Sequence, residues 1–187
     1  MTEPAIPFGD YSALVVGSGS IGRRHMANLR QLGIGRLAAV DSDIERLKTA
    51  SAESGAQTFS DAAQALQQFQ PQMVFVCTPP ASHVEHALHA IRSGADVFIE
   101  KPLSHRMEGV HALMDAASQF ERVVQVGYNL RFHPAIKELK KLVDQGVAGR
   151  IFWARAEVAQ YLPEWRPWQD YRQSYTARRE LGGGIIL

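Results

Sequence analysis

Leu14-Val15-Val16-Gly17-Ser18-Gly19-Ser20-Ile21-Gly22-Arg23-Arg24-His25 is a short apolar run that ends in G-x-G-x-x-G and passes straight into a helical pattern. Each glycine has its own physical task in a strand-turn-helix unit that receives a dinucleotide. Gly17 permits the tight turn off the strand. Gly19 removes the Cβ that would hold a pyrophosphate away from the backbone, and Gly22 lets the helix lie close on the strand. With Ser18 inside the turn, the helix start at Ser20 and Ile21 offers unpaired N–H groups and a positive dipole end to phosphates. Glycine-rich turns also serve merely to reverse a chain, so the surroundings decide the reading.

Outward from the turn, residues 11–16 read as a buried strand. Ile21, His25, Leu29 and Leu32 then recur at helical spacing until Gly33. Leu37-Ala38-Ala39-Val40 is a second apolar run, and it ends in Asp41. An acidic residue at the end of the second strand, about 20 residues beyond the glycines, is where a dinucleotide fold hydrogen-bonds the ribose 2′-hydroxyl. Asp41 also suits a helix N-cap, with Ser42 and Asp43 beside it and a helical run behind. Its strand-end position favours the ribose role, and a carboxylate there repels a 2′-phosphate, so the expected cofactor is NAD rather than NADP.

Strands and helices keep alternating. A strand at residues 57–59 leads to a helix marked by Ala62, Ala65, Leu66 and Phe69 and ended by Pro71. The continuous apolar run Met73-Val74-Phe75-Val76-Cys77 suits a parallel sheet covered on both faces. The turn Thr78-Pro79-Pro80 follows, then a helix with Val84, Ala87, Leu88 and Ile91 on one face. Val97-Phe98-Ile99 ends in Glu100-Lys101-Pro102, a helix presents Val110, Leu113, Met114 and Ala117, and residues 123–127 complete a sixth strand. Residues 1–128 therefore read as an α/β Rossmann domain, a doubly wound parallel sheet. Beyond it, His133-Pro134 opens a helix whose inner face is Ile136, Leu139, Leu142 and Val143. Residues 150–160 alternate apolar and charged side chains, the pattern of a strand with one wet face. Residues 129–187 accordingly read as the beginning of a second domain, with an antiparallel or open mixed sheet.

The chain has 187 residues, 45% of them hydrophobic, enough for one good core. Lys+Arg 20 against Asp+Glu 19 gives no basic field for nucleic acid or an anionic membrane. A single cysteine, Cys77, excludes an intrachain disulfide framework and fits a reducing compartment. The first residues lack a signal-peptide pattern and no run has the length of a membrane span, so a soluble cytoplasmic protein is expected.

Every candidate cluster lies where a strand ends: Gly17 to Gly22, Asp41, Cys77 to Pro80, Glu100 to Pro102, and Gly127 to Arg131. In an open α/β sheet the ligand crevice lies outside those carboxyl ends. Lys101, beside Glu100 and a rigid proline, can act there as a hydrogen-bond donor or proton-transfer group; its other reading is a surface Glu-Lys pair worth little. His83 can contact the cofactor or help cap the first turn of its helix. His25 shares a helix face with Ile21 and Leu29, so packing against the sheet is at least as good a reading as ligation. No histidine pair has a carboxylate or cysteine to complete a metal site, so no metal is expected. Cys77 reads as a buried strand residue rather than a nucleophile. Trp165, Arg166 and Trp168 suit either a loop on the cofactor or a second domain's core.

Taken together and in order, the motifs resemble the Gfo/Idh/MocA family of NAD(P)-dependent sugar and cyclitol oxidoreductases. They are Val16 to Gly22 with His25, Cys77-Thr78-Pro79-Pro80 with His83, Glu100-Lys101-Pro102-Leu103, Gly127-Tyr128-Asn129 with Arg131-Phe132 and Pro134, Trp165-Arg166, and Gly182-Gly183-Gly184. The resemblance implies that Lys101 assists hydride transfer at a sugar carbon. It implies that Glu100 and the Thr78-Pro79 turn hold the nicotinamide half, and that Asn129 lies by nicotinamide or substrate. It also implies that residues 129–187 are the incomplete start of an α+β open-sheet domain for substrate and oligomerisation, with a sugar, nucleotide-sugar or cyclitol substrate and a homo-oligomer, and residues 161–184 look most like members acting in bacterial surface-polysaccharide or nucleotide-sugar pathways. In the family the triple glycine opens a helix carrying an aspartate and a histidine, and the 187 residues stop before either. The resemblance thus implies NAD binding with little or no turnover by this stretch alone. The rival expectation is a non-catalytic NAD-binding or interaction module whose strand at 150–160 pairs with a partner.

Overall fold

In the computed structural model, residues 8–165, 167 and 170–184 are described. The apolar runs become six strands: β1 (Ser12–Val16), β2 (Arg36–Val40), β3 (Gln57–Phe59), β4 (Met73–Val76), β5 (Asp96–Ile99) and β6 (Val124–Val126). They form one all-parallel sheet in the order β3-β2-β1-β4-β5-β6. The order reverses between β1 and β4, which is where an open parallel sheet leaves a crevice.

The strands are apolar at consecutive positions because both faces are covered. On one face Leu14, Val16, Val40, Val76 and Ile99 pack with Ala65 and Phe69 of α3 (Ala62–Phe69), Ala87 and Ile91 of α4 (His83–Arg92), and Leu113 of α5 (Val110–Gln119). On the other, Ala13, Val15, Leu37 and Ala39 pack with Met26 and Leu29 of α1 (Ser20–Gln31) and Leu47 and Ala50 of α2 (Ile44–Ser54). Period-two alternation along each strand divides its residues between two separate cores.

The buried stripe of α1 is Gly22, Met26 and Leu29, one position round from the expected stripe, and Ile21 and Leu32 at its ends are exposed. Close approach through Gly22 fixes this rotation. In α5 the buried face is Val110, Leu113 and Ala116, whereas Met114, expected inside, is exposed.

After β6, residues Asn129–Phe132 make a 3₁₀ turn and α6 runs over Pro134–Asp144, with His133 as N-cap and proline in its first turn. Its apolar face, expected to be an inner one, is exposed at Ile136, Leu139, Leu142 and Val143. The strand expected at 150–160 is also not formed. A strand is held by ladder hydrogen bonds to a neighbour, and no strand among the described residues lies beside this segment. Phe152 and Trp153 are exposed and Val158 is 96% exposed. The alternation survives in its side chains, for Arg155 and Glu157 point the same way and pair at 2.8 Å.

A short helix, α7 (Leu162–Trp165), precedes a run of turns in which the chain returns to the sheet. Gly182, with φ +80°, lies against Pro80 and His105: a Cβ on it would stand 2.8 Å from the Cβ of each. Arg166 and Trp168, expected at the cofactor or in a second core, lie outside the described residues.

Candidate cofactor site

Strand register sets the site. Val16 is level with Val40 and Val76, Val76 with Ile99, and Ile99 with Val126. The next residues, Gly17, Asp41, Cys77, Glu100 and Gly127, therefore form one row just past the last paired level. Backbone bonds continue the ladder into that row, from Gly17 N to Val40 O at 2.8 Å, Cys77 N to Val16 O at 2.7 Å, Glu100 N to Val76 O at 2.9 Å and Gly127 N to Ile99 O at 2.8 Å. Five clusters far apart in sequence thus share one edge.

Within the glycine turn the three tasks separate cleanly. Gly17 has φ +96°, and a Cβ there would lie 2.8 Å from the Cys77 carbonyl. At Gly22 a Cβ would lie 1.9 Å from the Gly17 carbonyl oxygen. At Gly19, the N-cap of α1, it would meet nothing within 4 Å. Open room at a bare backbone, beside the first N–H groups of a 12-residue helix, is what a pyrophosphate requires. Ser20 and Ile21 flank that room as exposed residues, whereas Ser18 is fully buried beneath it.

Asp41 is not the cap of α2; that is Asp43, whose carboxylate accepts from Glu45 N and Arg46 N. Asp41 instead ties the turn to β2. Its Oδ2 accepts from Ser18 N at 2.7 Å and its Oδ1 from Asp43 N at 2.9 Å. A carboxylate offers about four acceptor positions, so two remain, on a side chain that is 7% exposed.

Across the β1–β4 reversal, Thr78 and Pro79 leave β4 in a turn closed by Ser82 Oγ, which donates to Thr78 Oγ1 at 2.8 Å. His83 is 1% exposed, and its ring nitrogens lie 2.7 Å from Thr78 O and 2.9 Å from Pro102 O. It ties the exit turn of β4 to that of β5, with no ring nitrogen left for a ligand. The sequence leaves its role open between contact and cap; the geometry makes it a brace between turns.

At the end of β5, Glu100 Oε1 meets His25 Nε2 at 2.8 Å and Oε2 accepts from Lys101 N at 3.2 Å. Burial works to raise the Glu100 pKa, but the His25 hydrogen bond and charge, with the Lys101 N–H and ammonium, outweigh it and hold the carboxyl below its usual range. Cys77, next in the row, shows the opposite result: burial, with the charge of Glu100 added, pushes its thiol far up, although the residue, expected to be a buried strand position, is half-buried and lies one position past the end of β4. Lys101 is exposed and its peptide with Pro102 is cis. With Tyr128, Asn129, Leu130 and Arg131 it lines a cleft of about 470 Å³. The structure thus unites Lys101 and Asn129, 28 positions apart in the chain. A separate cleft of about 530 Å³, between α4 and residues 104–108, contains none of the expected site residues.

Among the described residues no group of three or more His, Cys, Asp or Glu could hold a metal ion, and no helix is long and apolar enough to cross a membrane.

A six-stranded parallel sheet with its order reversed at β1–β4, a glycine turn feeding α1 and an acid closing β2 defines a dinucleotide-binding Rossmann domain. Residues 11–128 match the family described as an oxidoreductase family with an NAD-binding Rossmann fold, Gfo/Idh/MocA, and the chain belongs to it. It is 34% identical over 138 residues to inositol 2-dehydrogenase 3 of Saccharopolyspora erythraea, which spans 72% of this chain and 41% of that protein. Among solved structures, scyllo-inositol dehydrogenase from Lactobacillus casei, with bound NAD(H) and scyllo-inositol, superposes with TM-score 0.70 at 28% identity over 75% of this chain and 43% of that one. The WlbA dehydrogenase from Bordetella pertussis, in complex with NADH and UDP-GlcNAcA, gives TM-score 0.71 at 27% identity over 79% and 46%. The chain therefore spans less than half the length of these relatives.

One participant is left open by the sequence between packing and ligation. His25 sits on the helical face that Ile21 and Leu29 suggest is merely packed, and only its distance to Glu100 reveals that it joins the site.

Proposed function

We propose that the chain is the NAD-binding part of a dehydrogenase that moves a hydride between a sugar, nucleotide-sugar or cyclitol hydroxyl carbon and nicotinamide. The observation that carries this reading is the open seat at Gly19 on the same sheet edge as the Lys101–Asn129 cleft. In this reading Gly17, Gly19 and Gly22 shape the turn, and the N–H groups of Ser20 and Ile21 receive the pyrophosphate. Asp41 accepts from the ribose hydroxyl, which favours NAD over NADP. Thr78 and Pro79, braced by His83, form one wall of the nicotinamide pocket, and Glu100 and Asn129 form the other; Arg166, outside the described residues, is assigned to cofactor binding by its place in the motif. When bound, NAD supplies a hydride acceptor at C4 of its nicotinamide. Lys101 donates a hydrogen bond to the substrate oxygen and holds or moves a proton there. The bound scyllo-inositol and UDP-GlcNAcA of the two relatives support a polyhydroxylated substrate.

We further propose that these 187 residues, which match less than half the length of their relatives, bind NAD with little turnover. We place the domain boundary near residues 128 and 129, and assign the segment after it to substrate binding and to a homo-oligomeric contact. A second reading, a non-catalytic NAD-binding or interaction module, is favoured by the exposed segment 150–160. Titration with NADH and NADPH of wild type and Asp41→Ala, with light scattering alongside, separates the two. The dehydrogenase reading predicts NADH bound more tightly than NADPH. Loss of a hydrogen bond to a charged group, about 1.5–3 kcal/mol, predicts roughly ten- to a hundredfold weaker NADH binding in Asp41→Ala. Cofactor-indifferent oligomers that bind neither nucleotide would favour the interaction-module form of the second reading.

A further inference from the structure

We infer that His25 is a positioning residue for the nicotinamide half of the site: through the Glu100 carboxylate it fixes the Lys101 backbone relative to the helix that receives the pyrophosphate. The inference rests on the dinucleotide reading above and adds to it a residue on the helix of the phosphate turn.

The tether is continuous. His25 lies on α1, three residues past Gly22. Its ring is held by two aromatic neighbours from adjacent strands, Phe98 of β5 edge-on at 5.1 Å and Phe75 of β4 at 5.6 Å, which themselves stack at 5.2 Å. So oriented, Nε2 meets Glu100 Oε1 at 2.8 Å, and the second carboxylate oxygen takes the Lys101 N–H at 3.2 Å. Gly127 shuts the far side: a Cβ there would lie 2.8 Å from Phe98 Cζ and 3.4 Å from Glu100 Oε1. The chain of contacts spans β1–α1, β4, β5 and β6 and crosses the point where the strand order reverses.

Fold stability does not call for this pair. Met26, Leu29 and the close approach at Gly22 already pin α1 to the sheet. A half-buried His–carboxylate pair, with side chains 18% and 19% exposed, can commonly be replaced by apolar residues without loss of stability. Its position is what the pair contributes, in the row just past the last ladder level and one residue from Lys101. A fixed Glu100 orients the Lys101 peptide, and a fixed Lys101 peptide limits where its side chain can reach in the cleft.

NADH carries both halves of the cofactor and ADP-ribose lacks the nicotinamide, so calorimetric titration with each reads the tether directly. His25→Leu, which keeps the bulk and loses the donor, should bind NADH about tenfold more weakly and ADP-ribose within about twofold of wild type. His25→Gln, which keeps a donor, should recover most of the NADH affinity, and Glu100→Gln should behave like His25→Leu. His25→Met, likewise without a ring donor, carries the test if His25→Leu fails to fold. Unchanged NADH binding, equal loss of both ligands, or no rescue by glutamine would overturn the inference while leaving the cofactor reading intact. A wild-type chain that binds neither ligand would overturn both.

Discussion

Alanine at Gly19 and alanine at Gly22 perturb the same turn by one methyl group and should do opposite things. At Gly22 the new Cβ lies 1.9 Å from the Gly17 carbonyl oxygen, 3.0 Å from its carbon and 3.3 Å from Val15 Cγ1. Carbon-to-oxygen contacts normally begin at about 3.3 Å, so α1 must move out by more than about 1 Å or the turn must reshape. Overpacking of that severity costs about 3 kcal/mol, and alanine's better helix propensity returns about 1 kcal/mol. The remaining loss of about 2 kcal/mol lowers the midpoint of a chain of this size by about 4–8 °C. At Gly19 the backbone, φ −66° and ψ −171°, is ordinary extended chain, and the Cβ meets nothing. The melting temperature of Gly19→Ala should therefore stay within about 1 °C of wild type, while the methyl occupies the pyrophosphate seat and weakens NADH binding more than about tenfold. Differential scanning calorimetry and NADH titration on the two variants give four readings. Wild-type NADH affinity in Gly19→Ala would refute the seat, and an unshifted melt in Gly22→Ala would refute the close packing of α1.

Cys77, half-buried and with its thiol pKa pushed far up, should react with a thiol reagent at about pH 8 far more slowly in the native chain than once urea unfolds it; equal rates would contradict the raised pKa. The Glu100 carboxyl titrates lower folded than unfolded, so the unfolded chain binds more protons as pH falls through that window. Its stabilisation is full above the ordinary glutamate range and is lost as pH drops through the lowered folded value. Urea midpoints of Glu100→Gln should accordingly fall less steeply than those of wild type as the pH is taken below the ordinary glutamate range, and parallel curves would rule that linkage out.

The sheet was legible because burial on both faces leaves an unmistakable mark: runs such as Met73 to Val76 and Ser12 to Val16 are apolar at nearly every position. The strand-end clusters were legible for the same reason, since register follows once the strands are level. Helix faces were read less well where position along the helix matters. Ile21 keeps the spacing of a core residue yet sits in the first turn of α1, where Gly22 is the residue turned to the sheet, and remains exposed. His25 and Glu100, 75 positions apart, meet only after β1, β4 and β5 have been laid side by side, and no local pattern encodes that distance. The segment 150–160 carries strand alternation without a strand to pair with among the described residues, for alternation specifies a face and a ladder needs a partner.

Hydrogen–deuterium exchange of the chain with and without saturating NADH tests the central claim most directly, because it maps where the cofactor sits without assuming which residue holds it. The account predicts protection concentrated in residues 17–23, 41–43, 78–83 and 100–101, the carboxyl edge of the sheet on both sides of the β1–β4 reversal. Protection absent from that edge, or confined to the cleft between α4 and residues 104–108, would contradict it.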